Sequence, residues 1–209
     1  KNVSTNQITE GVIWKQLLLF FFPILFGTFF QQLYNTADAV IVGNFVGKEA
    51  LAAVGGPAAT LINLLVGFFV GLSSGATVII SQFYGAKNNA DVKKAVHTSI
   101  ALSLAGGAII MILGLIFSGA ALQLMNTPDD IMKLSLTYMR IYFLGVIPSL
   151  IYNMGSGILR AAGDAKRPLY FLIISCFINI ILDIFFVVVL KLGVAGVAIA
   201  TTLSQVASA

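Results

Sequence analysis

Ser175, Asn179 and Asp183 stand four residues apart in the apolar run FLIISCFINIILDIFFVVVL, so a helix through that run carries all three on one face. A carboxylate inside a lipid-spanning helix costs roughly 2.5 to 3.5 kcal/mol on insertion scales, and by default it marks an ion or substrate pathway. A second polar face comes earlier in the chain. Gly27, Gln31, Asn35 and Asp38, with Tyr34 adjacent, recur at helical spacing in another apolar stretch and again end in a carboxylate. Two desolvated carboxylates that meet must be neutralised, by a proton they share or by a bare cation. Carboxylate, amide-carbonyl and hydroxyl oxygens ligate hard cations, and Asp38, Asn179 and Asp183 with Thr201 or Thr202 supply that set. The same donors suit Na+ and H+.

The elements that must position these groups follow from composition. Of the 209 residues 58% are hydrophobic and 10% charged, with a mean hydropathy of +0.98. A soluble domain carries about 25% charged residues, so the chain reads as an integral membrane protein. Several apolar runs approach the ~20 residues that cross ~30 Å of hydrocarbon. None alternates with the period of two that a membrane barrel needs. The expected fold class is therefore all-α, with six transmembrane helices at about 15–46, 49–83, 95–124, 131–159, 168–190 and 194–209. Residues 1–13 form a cytoplasmic or interfacial arm before them. The formal net charge of +4 comes from basic residues flanking the spans, which explains it by topology rather than by nucleic-acid binding. Cys176 stands alone in mid-span and reads as packing.

Eight basic residues (Lys1, Lys15, Lys87, Lys93, Lys94, Arg160, Lys166, Arg167) fall on one side of this arrangement, and Lys48, Lys133 and Lys191 on the other. The excess makes the first side cytoplasmic, and the amino terminus with it, in a cell membrane. Asp183 then lies fifteen residues above Pro168, roughly 22 Å, and Asp38 twenty-three above Lys15, roughly 35 Å before tilt. Both belong to the outer half. Pro23 and Pro148 are the expected kinks in the first and fourth spans. Thr127 is the expected cap of the fourth helix, with Pro128 at its first position. Gly163 and Asp164 make a turn. His97 reads as interfacial.

Candidate cavity residues lie on the same helical faces. Tyr138, Tyr142, Gly145, Ser149, Tyr152 or Asn153, and Ser156 align along the fourth span, and a tyrosine-lined face suits aromatic or cationic ligands. Asn63 lies on a weakly polar face of the small-residue-rich second span. Gln31, Tyr34, Asn35, Asn63, Tyr138, Tyr142 and Asn153 are thus the candidate substrate contacts. Asn179 and Gln31 have the simpler reading of interhelical hydrogen bonds, and Asp38 that of a helix cap. No phosphate loop, zinc spacing or nucleophile elbow is present in the sequence, which argues against an enzyme.

Three stretches, YNTADAVIVGNFVGKEALAAVGG at 34–56, GAKNNADVKKAV at 85–96 and RAAGDAKRPLYFLIISCFINIILDIFFV at 160–187, resemble the amino-terminal half of a multidrug and toxic compound extrusion (MATE) transporter, in its bacterial and archaeal branch with an organising Asp. The resemblance covers all six spans. It implies one lobe of a twelve-helix, two-lobe antiporter that exchanges Na+ or H+ for amphipathic, often cationic drugs, with no cofactor. Asp38 and Asp183 would be its coupling carboxylates, Asn179 and Thr201 or Thr202 would complete the cation site, and Gln31 and Tyr138 would lie nearby. The expected partners are small organic cations, the lipid bilayer and a carboxy-terminal lobe of the same polypeptide. A lipid-linked oligosaccharide flippase of the same superfamily is the nearest rival; its cavity would need several Arg or Lys for pyrophosphate, and only Arg140 falls within a predicted span. A non-transporting scaffold is the other rival, in which both carboxylates would be dispensable.

Overall fold

Long apolar runs whose backbone groups can bond only within their own segment must be helical in lipid. The computed structural model describes residues 12–209, and all its regular elements are helical; the expected arm at 1–13 lies almost wholly outside them. In chain order the helices are α1 (Ile13–Phe45), α2 (Lys48–Gly55), α3 (Pro57–Gly85), α4 (Asn89–Leu124), α5 (Asp129–Leu144), α6 (Val146–Ala161), α7 (Lys166–Asp183), which runs on as a π-helical turn over Ile184–Val189, and α8 (Val194–Ser208). Trp14–Phe45, Lys48–Gly85, Asn89–Leu124 and Lys166–Val189 are each long and apolar enough to cross a membrane, and α5 and α6 together make a fifth candidate span bent by 52°. α8, at 15 residues, is the shortest apolar segment and falls below the ~20 residues that cross unaided.

Three local features depart from the sequence expectations. The second span breaks at Gly56, where the chain leaves helical geometry between α2 and α3. The fourth bends at Gly145 rather than at Pro148. A proline ring clashes with the carbonyl four residues back, which here belongs to Leu144; the helix ends there and restarts with Pro148 in its first turn, where a missing N–H is harmless. Thr127 does not cap α5. Its hydroxyl donates to the Leu122 carbonyl at 2.7 Å and closes the end of α4. Pro23, by contrast, is carried inside an uninterrupted α1.

Packing is uneven along the bundle. α1 lies on α7, α7 on α8, α8 on α5, and α5 on α2 and α4, while α3, α4 and α6 pack on one another. The buried apolar cluster gathers Ile41, Val42, Val54, Leu122, Met139, Phe143, Val187, Val194 and Val197, and reaches from the end that carries the Gly47, Asn126 and Gly193 turns to the last turn of α5. Of α1, only Asp38, Ile41 and Val42 are buried, and Leu17, Phe21 and Phe29 stand more than half exposed, as suits a surface in contact with lipid. Where apolar contact offers little drive, small residues allow close approach. A Cβ at Gly114 would fall inside the Phe143 ring, and one at Gly157 would meet the hydroxyls of Ser73 and Thr77. Interhelical hydrogen bonds supplement this contact: Ser135 donates to the Ala53 carbonyl at 3.3 Å, and Ser73 to the Asn153 carbonyl at 3.0 Å.

At the opposite end Asp164 organises the α6–α7 turn. Its Oδ1 accepts from the backbone N–H groups of Lys166 and Arg167, both at 3.1 Å, its Oδ2 pairs with Arg167, and Gly163 takes the left-handed conformation at φ 85°. Gly114→Ala forces the added methyl into Phe143 and is expected to destabilise the protein by about 1–3 kcal/mol, read as a lower unfolding temperature in detergent; an unchanged transition would show that α4 and α5 separate freely.

Candidate functional site

The inward face of α1 and the helices opposite it enclose a cavity of about 450 Å³. α1 contributes Pro23, Gly27, Gln31, Tyr34, Asn35 and Asp38, six positions at helical spacing along one side of the space. Asn63 of α3, Tyr138 and Tyr142 of α5 and Asn153 of α6 line it too, so all seven candidate substrate residues face one volume. The two α5 rings lie 6.2 Å apart, tilted by 38°. Asn153 turns its amide N–H back to the Ser149 carbonyl at 2.8 Å, and Asn35 donates to Gln32 at 3.4 Å. Gln205 and Arg160 also line the cavity. Neither belongs to a polar face that the spacing picks out: Gln205 is the single amide of α8, and Arg160 falls just past the expected fourth span.

The carboxylates sit at two depths. Asp38 is 6% exposed and borders the cavity, whereas Asn179 and Asp183, both fully buried, lie behind it on α7 and are not part of the lining. Asp38 nevertheless lies within electrostatic reach of the side chains of Asp183 and Asn179, without a hydrogen bond to either. The Thr201 hydroxyl donates to Asp38 Oδ2 at 3.4 Å. Thr202 turns the other way: it donates to the Ile141 carbonyl at 3.3 Å and packs against Gly145, where an added Cβ would lie 2.7 Å from its methyl carbon. The two neighbouring threonines therefore part company, with Thr201 at the carboxylates and Thr202 at the α5–α6 bend.

A chain of hydroxyls fixes α8 in this position. Ser175 of α7 donates to the Ser204 carbonyl at 2.7 Å, Ser204 donates to the Thr201 carbonyl at 2.8 Å, and the Tyr34 and Ser204 hydroxyls lie 3.3 Å apart. α1, α7 and α8 thus meet through Tyr34, Ser175 and Ser204, of which only Ser204 carries no signal in the sequence, since single serines in apolar helices look the same whether they bond across helices or within one.

Several buried polar atoms have no hydrogen-bond partner: Asp38 Oδ1, both Asp183 oxygens and both polar atoms of Asn179. Among the described residues no lysine, arginine or histidine acts on either carboxylate. Arg140, in the middle of the fourth predicted span, is exposed on α5. Buried charge without a counter-charge is strongly unfavourable, so a proton or a cation fits here. The oxygens of Asp38, Asp183, Asn179 and Thr201 are a hard donor set of the kind that suits Na+. Among the described residues there is no group of three or more His, Cys, Asp or Glu that could hold a metal ion.

Residues 23–185 match the MatE family. The chain belongs to the MATE family. It is 33% identical over 208 residues to the probable multidrug resistance protein YoeA of Bacillus subtilis, covering 98% of this chain and 45% of that protein. It is 24% identical to the multidrug export protein MepA of Staphylococcus aureus, across 100% of this chain and 46% of MepA. Its backbone superposes on an outward-facing MATE multidrug resistance transporter with a TM-score of 0.92 at 31% identity, covering 100% of this chain and 46% of that one. The chain therefore spans about half the length of the curated relatives it matches. These relatives and structural neighbours are MATE transporters, not enzymes.

The division of labour between the threonines can be read in a MATE protein as thermal stabilisation by sodium or by acidification. Thr201→Val is expected to reduce that stabilisation by about 1 kcal/mol, while Thr202→Val lowers the basal unfolding temperature and keeps the ion response; equal ion responses in the two variants would remove Thr201 from the site.

Proposed function

We propose that this chain forms one lobe of a secondary antiporter, which exports amphipathic, often cationic drugs in exchange for Na+ or H+ by alternating access in the cell membrane, with its amino terminus in the cytoplasm. The observation that carries the reading is the position of Asp38, which borders the cavity on one side and the sealed Asp183–Asn179 pair on the other. A cation or proton held between the carboxylates neutralises them and removes the negative charge that would draw a drug cation to Asp38. Ion and drug then compete through one side chain without sharing a chamber. Gln31, Asn35, Asn63, Tyr138, Tyr142 and Asn153 supply aromatic faces and amides for an amphipathic molecule. The carboxy-terminal lobe of the same polypeptide would close the remaining wall. Pro23, kept within α1, and the Gly145 break are the bending points of this scheme.

The test is efflux of a fluorescent organic cation from vesicles holding the intact transporter, under an imposed sodium or pH gradient. Efflux should follow one gradient and fall at least about 100-fold in Asp183→Asn, because loss of a charged, buried partner removes several kcal/mol of coupling. Gradient-driven efflux that Asp183→Asn leaves intact would take the carboxylate pair out of the mechanism, and no gradient-driven efflux from folded protein would sink drug antiport.

A further inference from the structure

The cavity holds one acidic and one basic residue among those that line it, and they stand at opposite ends. Asp38 is at the deep end; Arg160, in the last turn of α6, lies with Ala165 and Pro168 at the other. α1 lines the space from Pro23 to Asp38, fifteen residues or roughly 22 Å of helix. Between the charges the wall is neutral, with Gln31, Asn63, Ser149 and Asn153 among its residues. Arg160 is partly buried, and among the described residues no carboxylate lies within ion-pair distance of it: the two salt bridges there join Lys94 to Asp91 and Arg167 to Asp164. Asp164, the nearby acid, is therefore spent on Arg167 and the start of α7. Tyr152, about two turns before Arg160, donates to the Pro168 carbonyl at 3.2 Å and lies within electrostatic reach of the guanidinium.

An unpaired guanidinium in a recess with low-dielectric walls repels a simple cation and attracts an oxyanion, which it binds through a planar two-pronged fork. We propose that Arg160 is a carboxylate-binding subsite at the α6–α7 end of the cavity, which takes the carboxylate of zwitterionic amphiphiles while their cationic aromatic portion points toward Tyr138, Tyr142 and Asp38. The inference rests on the antiporter reading and narrows its substrate class. A purely topological arginine, stabilising the carboxy-terminal end of α6 and the cytoplasmic side of the membrane, would treat molecules with and without a carboxylate alike.

Two probes that differ only in this group separate the alternatives: a rhodamine zwitterion with a free carboxylate, and its methyl ester, a simple cation. Their KM values are compared for efflux by the intact transporter in the native form, in Arg160→Gln and in Arg160→Lys, which keeps the charge and loses the fork. The zwitterion-to-ester KM ratio is expected to rise about 10-fold in Arg160→Gln and to take an intermediate value in Arg160→Lys. A ratio that stays at the native value in both variants, whether because both probes suffer equally or because neither does, overturns the proposal. Fluorescence polarisation of the same probes on detergent-solubilised protein gives the ratio as binding, so that loss of efflux does not hide it. Efflux of the ester that needs no ion gradient and survives Asp38→Asn would instead count against antiport, while the binding ratio still decides the role of Arg160.

Discussion

Two carboxylates buried together without a base set the terms for this bundle. Asp183 is enclosed completely and Asp38 nearly so, and the only hydrogen bond that reaches either is the long one from Thr201. Low-dielectric surroundings magnify both repulsion between such groups and attraction to any cation. The surrounding chain is arranged to tolerate the pair rather than to satisfy it. Ser175, Ser204 and Tyr34 hold α1, α7 and α8 against one another through bonds that leave the carboxylate oxygens free. A site already satisfied by protein groups would have little left to offer an ion.

The bundle is also divided along its length. Near the Gly47 end the helices are packed by Val42, Leu122, Met139, Phe143 and Val197, and the carboxylates sit beside that core. α1 packs on α7 and not on α5 or α6, and the cavity lies between them, lined down to Arg160, Ala165 and Pro168 near the Gly163 turn. The bend at Gly145 marks the change, since α5 belongs to the packed part and α6 runs along the cavity. Thr202 is wedged at that bend, bonded to the Ile141 carbonyl and touching Gly145, one residue from the threonine that touches Asp38. α8 thereby connects the carboxylate pair to the change of helix direction.

Much of this was legible in the sequence, and the failures have causes. Charge in an apolar run is rare enough that Asp38 and Asp183 stood out at once, and spacing by four placed Asn179 and Ser175 beside Asp183. Gln31, Asn63, Tyr138, Tyr142 and Asn153 could be grouped because polar residues on one face of a lipid-embedded helix need a common polar space. Depth within that space was not legible: nothing in the spacing distinguishes Asp38, on the cavity wall, from Asp183, behind it. Thr201 and Thr202 fit the same spacing rule, and their separation depends on how α8 rotates against α5. Pro148 drew attention as a breaker, but the bend falls three residues earlier because the proline acts on the preceding turn. Arg160 falls just past the apolar run that ends at Leu159, whereas α6 continues through it to Ala161.

The π-helical turn after Asp183 bears on how this sequence can vary. A π turn holds one residue more than the α-helical turn it replaces, and here it occupies Ile184–Val189, between the buried carboxylate and the left-handed Lys191 and Gly193. Loss of a single residue within it would convert the segment to α-helix while the helix before it, with Ser175, Asn179 and Asp183, kept its face. The same loss anywhere from Ser175 to Asp183 would rotate the later residues by about 100° relative to the earlier ones and turn the carboxylate away from Asp38. Descendants of this chain can therefore change length between Asp183 and Gly193 far more freely than on the stretch just before it, and a gap in that interval is the scar that such a lineage would carry.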